Sequence, residues 1–224
     1  MTASALWALA LFSFVMSVTP GPNNMMLLAS GLNFGFARTV PHMLGIAAGA
    51  GVMLVVLALG LGALLVRWPL LDALLQTVSA LWLIHLAWRL GTATTPLAAL
   101  AQPDGPPLES PAAQSAKTAK TARPMTALGA AAFQWANPKA WMMVTTLVAS
   151  YLPAAPGGAL LAMVVLVFMA INLCSVSVWA WAGRALRRWL AHPVRLRWFN
   201  RVMALTLLAS LWPVVSGALQ HVRA

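Results

Sequence analysis

Acidic residues are almost absent from this chain: Asp72, Asp104 and Glu109 are the only three among 224 residues. Charged residues make up 8% of the sequence and hydrophobic ones 61%, a balance that excludes an ordinary soluble domain, whose surface needs about a quarter of its residues charged. There is one cysteine, Cys174, so no internal disulfide can form. Its place in an apolar run predicts a small packed side chain rather than a redox group. Paired carboxylates inside the apolar segments, HExxH and GxSxG motifs and Cys/His metal spacings are all missing, and His42 and His85 alone do not make a zinc site. The chain therefore does not read as an enzyme, and no cofactor or metal is called for. Met1 to Leu11 carries no Lys or Arg and no cleavage-like site, so the first apolar stretch reads as a retained span rather than a secretory signal.

What the chain has instead is long apolar runs. Six reach bilayer length, at residues 4–30, 40–66, 70–90, 125–151, 157–182 and 202–219, which predicts an all-α polytopic membrane protein. Prolines inside spans one, four and six do not count against this, because membrane helices tolerate them. Trp68 and Trp88 flank span three, and Trp179 and Trp181 close span five, as interfacial belts do. Trp135 and Trp141 lie mid-span and fit no belt. Of the 14 Lys and Arg, eleven fall in one set of loops: Arg38; Arg89, Lys117, Lys120 and Arg123; and the six arginines from Arg184 to Arg201. Arg67 and Arg223 alone lie on the other side. The positive-inside rule then places both termini outside and the eleven charges in the cytoplasm. The net charge of +11 thus reflects topology and attraction to membrane lipid, not nucleic acid.

Residues 91–124 are rich in Ala, Pro, Thr and Ser and read as a cytoplasmic linker. It separates a three-helix unit, 1–90, from a second, 125–224. Three being odd, the second unit enters the membrane from the opposite side. Each unit also carries a polar break in its first span: Thr19-Pro20-Gly21-Pro22-Asn23-Asn24 and Asn137-Pro138-Lys139. That is the pattern of inverted repeats with a binding site between the halves near the midplane.

Both breaks supply chemistry. Asn137 suits an N-cap and Pro138 the first helical position, which puts Lys139 in the first turn of a new half-helix. Gly21 and Pro22 start another, with free N–H groups from Asn23, Asn24 and Met25. Prolines also leave carbonyls near Met16, Val18 and Gln134 without their usual donors. Two dipole ends and an ammonium favour a carboxylate or phosphate, while carbonyls with Asn23, Asn24 and Asn172 suit an ammonium. A free amino acid satisfies both. Lys139 lies fourteen residues into its span, about 21 Å of helix, too deep for its side chain to reach water by snorkelling, which points to a substrate or coupling role; a structural tie to unpaired carbonyls, with Trp135 four residues earlier on the same face as a partner, stays open. For Asn172 a helix-bridging role stays open, and Gly45 with Gly49 reads as a packing pair. Proton-coupling candidates are Lys139, His85 and Asp72.

The stretches TPGPNNMMLLASGLNFGFARTVPHMLGIAAG and FQWANPKAWMM, with VSALWLIHLAWRL in span three and AGRALRR after span five, resemble the LysE/RhtB family of bacterial amino-acid exporters. FQWANPKAW and the basic end of span five are similar to the branch that includes cysteine and O-acetylserine exporters. The resemblance implies a six-helix inner-membrane protein that expels a small amino acid or derivative using the proton gradient. It implies a site at Thr19, Pro20, Gly21, Pro22, Asn23 and Asn24 and at Asn137, Pro138 and Lys139. Span three departs from the family, with Val78-Ser79-Ala80-Leu81-Trp82 where Gly-Ala-Ala-Tyr-Leu is common and His85 where an apolar residue is usual. An anion or metal-ion exporter, or a non-transporting membrane protein, are the competing readings, and a homo-oligomer stays open.

Overall fold

A computed structural model describes residues 1–61, 69–92 and 123–211, and all regular structure among them is helical. Span one is two helices, α1 (Ala3–Val18) and α2 (Pro22–Phe34), bent by 61° at the Thr19–Gly21 break. Helix α3 (Phe36–Val56) follows with only Gly35 between. Gly35 makes that corner with φ 79°, a left-handed value that costs a glycine nothing, and Ser30 on α2 then hydrogen-bonds Thr39 on α3 at 2.9 Å. A widened turn, Leu57–Leu61, ends α3 at Gly60, and α4 spans Pro69–Thr92. The second half opens with α5 (Ala127–Phe133), passes through a tight turn at Gln134–Ala136, and continues as α6 (Pro138–Tyr151), α7 (Gly158–Leu186) and α8 (Pro193–Ala209). Two of these helices are long and apolar enough to cross a bilayer singly, and the bent α1–α2 pair makes a third span if it crosses as one. The last helix starts at Pro193, well before the expected boundary at 202, because the arginine-rich stretch is itself helical. The linker at 93–122, and with it most of the 91–124 reading, lies outside the described residues, as does Trp68.

Side chains follow a bilayer pattern. Large apolar groups point outward along every span, Leu128 at 81% exposure and Trp7 at 77% among them. Such a surface is untenable in water and natural in lipid. Cys174 is on this outer surface of α7 rather than packed inside, since the helix turns Asn172, Ser175 and Val176 inward instead. The interior is made by close helix approach. Helix α7 packs against α1, α2 and α3, α3 also packs against α5 and α6, and α4 packs against α8. At the α2–α7 contact, a Cβ on Gly31 would collide with the Ala180 carbonyl and one on Gly183 with the Leu28 carbonyl, so only hydrogen fits at either place. Gly45 and Gly49 do the same for α3 against the backbones of Ala127 and Ala131.

Candidate functional site

The break in span one is built by two prolines and two side-chain amides. Pro22 has no N–H to return to Val18, so the end of α1 loses part of its ladder and α2 sets off at a new angle. The carbonyls released there do not stay open, as the sequence suggested they would. Ser17 O accepts from Asn24 Nδ2 at 2.8 Å, Val18 O from Trp179 Nε1 at 2.9 Å, and Met16 O from the Thr19 hydroxyl at 3.1 Å. Gln134 O is likewise taken, by the N–H of Asn137 at 3.2 Å. A buried carbonyl without a donor costs about 1–3 kcal/mol in the empty protein, so the fold fills these itself. Trp179, which looked like part of an interfacial belt, is one of those donors; its neighbour Trp181 is 61% exposed.

The two helix starts differ in what they offer. Asn137 caps α6 with its own groups: its side-chain oxygen accepts from Lys139 N at 3.1 Å, and its carbonyl accepts from the N–H groups of Ala140 and Trp141. That end is closed. Helix α2 is capped by Gly21, which has no side chain to do the same, and Met25 N is already paired with Gly21 O. The N–H groups of Asn23 and Asn24 therefore stay free among the described residues, since first-turn donors have no intrahelical acceptor. Gly21 itself is extended, at φ −173°, and is small for another reason: a Cβ there would lie 2.7 Å from Lys139 Cδ. The lysine stem thus lies against the start of α2. Its ammonium donates to the Thr19 carbonyl, to the Thr19 hydroxyl at 2.8 Å and to the Pro20 carbonyl at 3.2 Å. Trp135, considered as its partner, pairs edge-on with Trp141 instead, and its carbonyl accepts from Trp141 Nε1 at 2.9 Å.

Beside this junction is a small, partly open cavity of about 20 Å³, room for about one water molecule and well below the size of a ligand pocket, so a cargo would have to widen it. Gly21, Pro22, Asn23, Asn24, Asn137, Lys139 and Asn172 line it, with Met16, Met143 and Val176 as its apolar wall. Asn23 and Gln134 are tied to each other by reciprocal amide bonds of 2.8 and 3.3 Å, and Gln134 also donates to Ala130 O, so this pair staples the two breaks together. Asn172 is 3% exposed and donates Nδ2 to Ser17 Oγ at 2.9 Å, while its Oδ1 has no partner. Thr19, Pro20 and Pro138 complete the junction. Two expected residues are elsewhere. His85 is on an exposed face of α4, its ring 6.3 Å from that of Trp88, and takes no part in the cavity lining. Asp72 falls in the first turns of α4, and its side chain is outside the described positions. Ser17 and Met143 were missed by sequence reasoning. A hydroxyl at Ser13 and another at Ser17, one turn apart and both buried, are the signal that would have found the polar face of α1.

A family profile described as LysE type translocator matches residues 14–210. Among curated proteins, the chain is 30% identical over 95 residues to the cysteine/O-acetylserine efflux protein of Escherichia coli, a match covering 42% of this chain and 49% of the relative. The protein of the same name from Salmonella typhimurium is 30% identical over 92 residues, 41% of this chain and 46% of the relative. In both cases the chain spans just under half of the relative's length. No solved structure gives a significant match.

Proposed function

Because this chain belongs to the LysE type translocator family, a family of transporters and not enzymes, we propose that it exports a small amino acid or amino-acid derivative from the cytoplasm by proton antiport. The observation that carries the reading is the cavity at the α1–α2 break, which holds both things a zwitterion needs. Free N–H groups at the start of α2 suit a carboxylate, and the unpaired Oδ1 of buried Asn172 suits an ammonium. Lys139 adds positive charge beside the carboxylate end and is the proton-coupling candidate that lines the cavity. The names of the relatives, cysteine/O-acetylserine efflux proteins, favour cysteine or O-acetylserine as cargo.

The packing supports two inverted three-helix units at 1–90 and 125–224. Exchanging the halves maps α1 on α5, α2 on α6, α3 on α7 and α4 on α8. Under that exchange the α1–α7 contact becomes α5–α3, the α2–α7 contact becomes α6–α3, and α3–α7 and α4–α8 map on themselves, and all of these contacts are present. Six crossings with both termini outside agree with the arginines that follow α7. The test is uptake of radiolabelled cysteine and O-acetylserine into inside-out vesicles under an imposed proton gradient. Wild-type protein should accumulate one of them, and Lys139→Ala at equal membrane abundance should not. Uptake by neither protein of any amino acid would sink the export reading; near-normal uptake by the variant would remove Lys139 from the site.

A further inference from the structure

The three acceptors around the Lys139 ammonium form a cation seat. Thr19 O, Thr19 Oγ1 and Pro20 O all come from one break in one span, while the ammonium they surround comes from the other half of the chain. A primary ammonium has three N–H groups and here meets three oxygens. Among the described side chains and backbone groups, these three neutral oxygens are the ammonium's acceptors. Backbone carbonyls and a hydroxyl at the C-terminal end of a half-helix are the hard, neutral ligands that suit a monovalent cation, and the negative end of the α1 dipole adds to their pull. Asn24 Nδ2 also donates to Thr19 O and fixes the direction in which that carbonyl points.

We propose that the Thr19–Pro20 acceptor cluster is a monovalent-cation site in its own right, with Lys139 as its tethered occupant, and that a free primary alkylammonium or alkali ion takes the seat when the lysine leaves. Departure of the lysine rests on the export reading above: a cargo carboxylate at the start of α2, against which the lysine stem lies, attracts the same ammonium. The seat then stands open beside the cavity, within reach of a second small cation. Lys139 in this scheme keeps the seat filled between transport cycles, and the oxygens never remain unpaired.

The experiment removes the tether and supplies the cation. Purified Lys139→Ala in detergent is titrated with methylammonium, sodium and tetramethylammonium chloride, reading the thermal midpoint. Methylammonium carries the lysine's three N–H groups, and tetramethylammonium carries none. The expected result is a saturable rise of about 5 °C with methylammonium or sodium, none with tetramethylammonium, and none in the wild type, whose seat is filled. Whichever of the two raises the midpoint identifies an ammonium or an alkali site. Thr19→Val added to Lys139→Ala should flatten the response. A flat response to both cations in Lys139→Ala overturns the proposal. If Lys139→Ala and Lys139→Gln both fail to fold, recovery of folded protein only when methylammonium or sodium is present through purification supports it, and failure in all salts overturns it. Because the readout is stability, it stands or falls separately from transport.

Discussion

Asn172→Leu separates a binding role from a bracing one. Leucine keeps the branched outline and heavy-atom count of the amide, so the change is chiefly one of polarity at a side chain that is 3% exposed. In the empty protein Asn172 Oδ1 is unpaired, a state that costs about 1–3 kcal/mol, while Nδ2 contributes about 0.5–1.5 kcal/mol through its bond to Ser17 Oγ. Deleting both leaves the stability of the empty protein near the wild-type value or above it. With cargo bound the account reverses, because a hydrogen bond to a charged donor is worth about 1.5–3 kcal/mol and the leucine cannot make it. At about 1.4 kcal/mol per decade, affinity falls roughly 10- to 150-fold. The measurement pairs a thermal melt of the purified variant without cargo with a cargo titration of vesicle uptake. A midpoint within about 2 °C of wild type together with a large rise in half-saturation supports the assignment. Unchanged half-saturation with a midpoint several degrees lower would refute it and make Asn172 a helix tie.

Other substitutions probe the frame around the cavity. Trp179→Phe keeps the ring but strips the donor from Val18 O, and should lower stability by about 1–2 kcal/mol in chemical denaturation, while Trp181→Phe, on the exposed face, should change it by less than about 0.5 kcal/mol. Gly183→Val puts a side chain where the Leu28 carbonyl already is, and little folded protein should survive size-exclusion chromatography; Gly157→Val, with open space around it, is the matched control. Asn23→Ala and Gln134→Ala should be non-additive in a double-mutant cycle, with a coupling of about 0.5–3 kcal/mol, because each removes the same reciprocal pair.

Much of the frame was legible because it rests on local chemistry. Pro22 and Pro138 lack an N–H and favour a first helical position, so both helix starts could be placed to the residue, and Asn137 was readable as a cap. Apolar run length gave the spans, with errors where the pattern changed character: the helix at Pro193 begins in arginines that hydropathy excludes. The partners of the freed carbonyls were not legible. Trp179 and Val18 are far apart in sequence, and so are Lys139 and Thr19, so nothing local says that one will find the other. The difference between the two caps was readable in principle, since glycine has no oxygen to offer its helix and asparagine has one, but it only acquires meaning once both starts line the same cavity.

The contact of α2 with α7 through bare backbone at Gly31 and Gly183 has a mechanical consequence. With no side chain between them to change rotamer, these helices have no soft layer in which to slide, and they behave as one stiff body. Under the proposed export function, one would carry the donors for the cargo's carboxylate and the other the acceptor for its amine, so both grips on the cargo would travel together as access switches. On the same reading the opening comes from α5 and α6, which hold the first half through the Lys139 ammonium, the Asn23–Gln134 amide pair and their packing against α3.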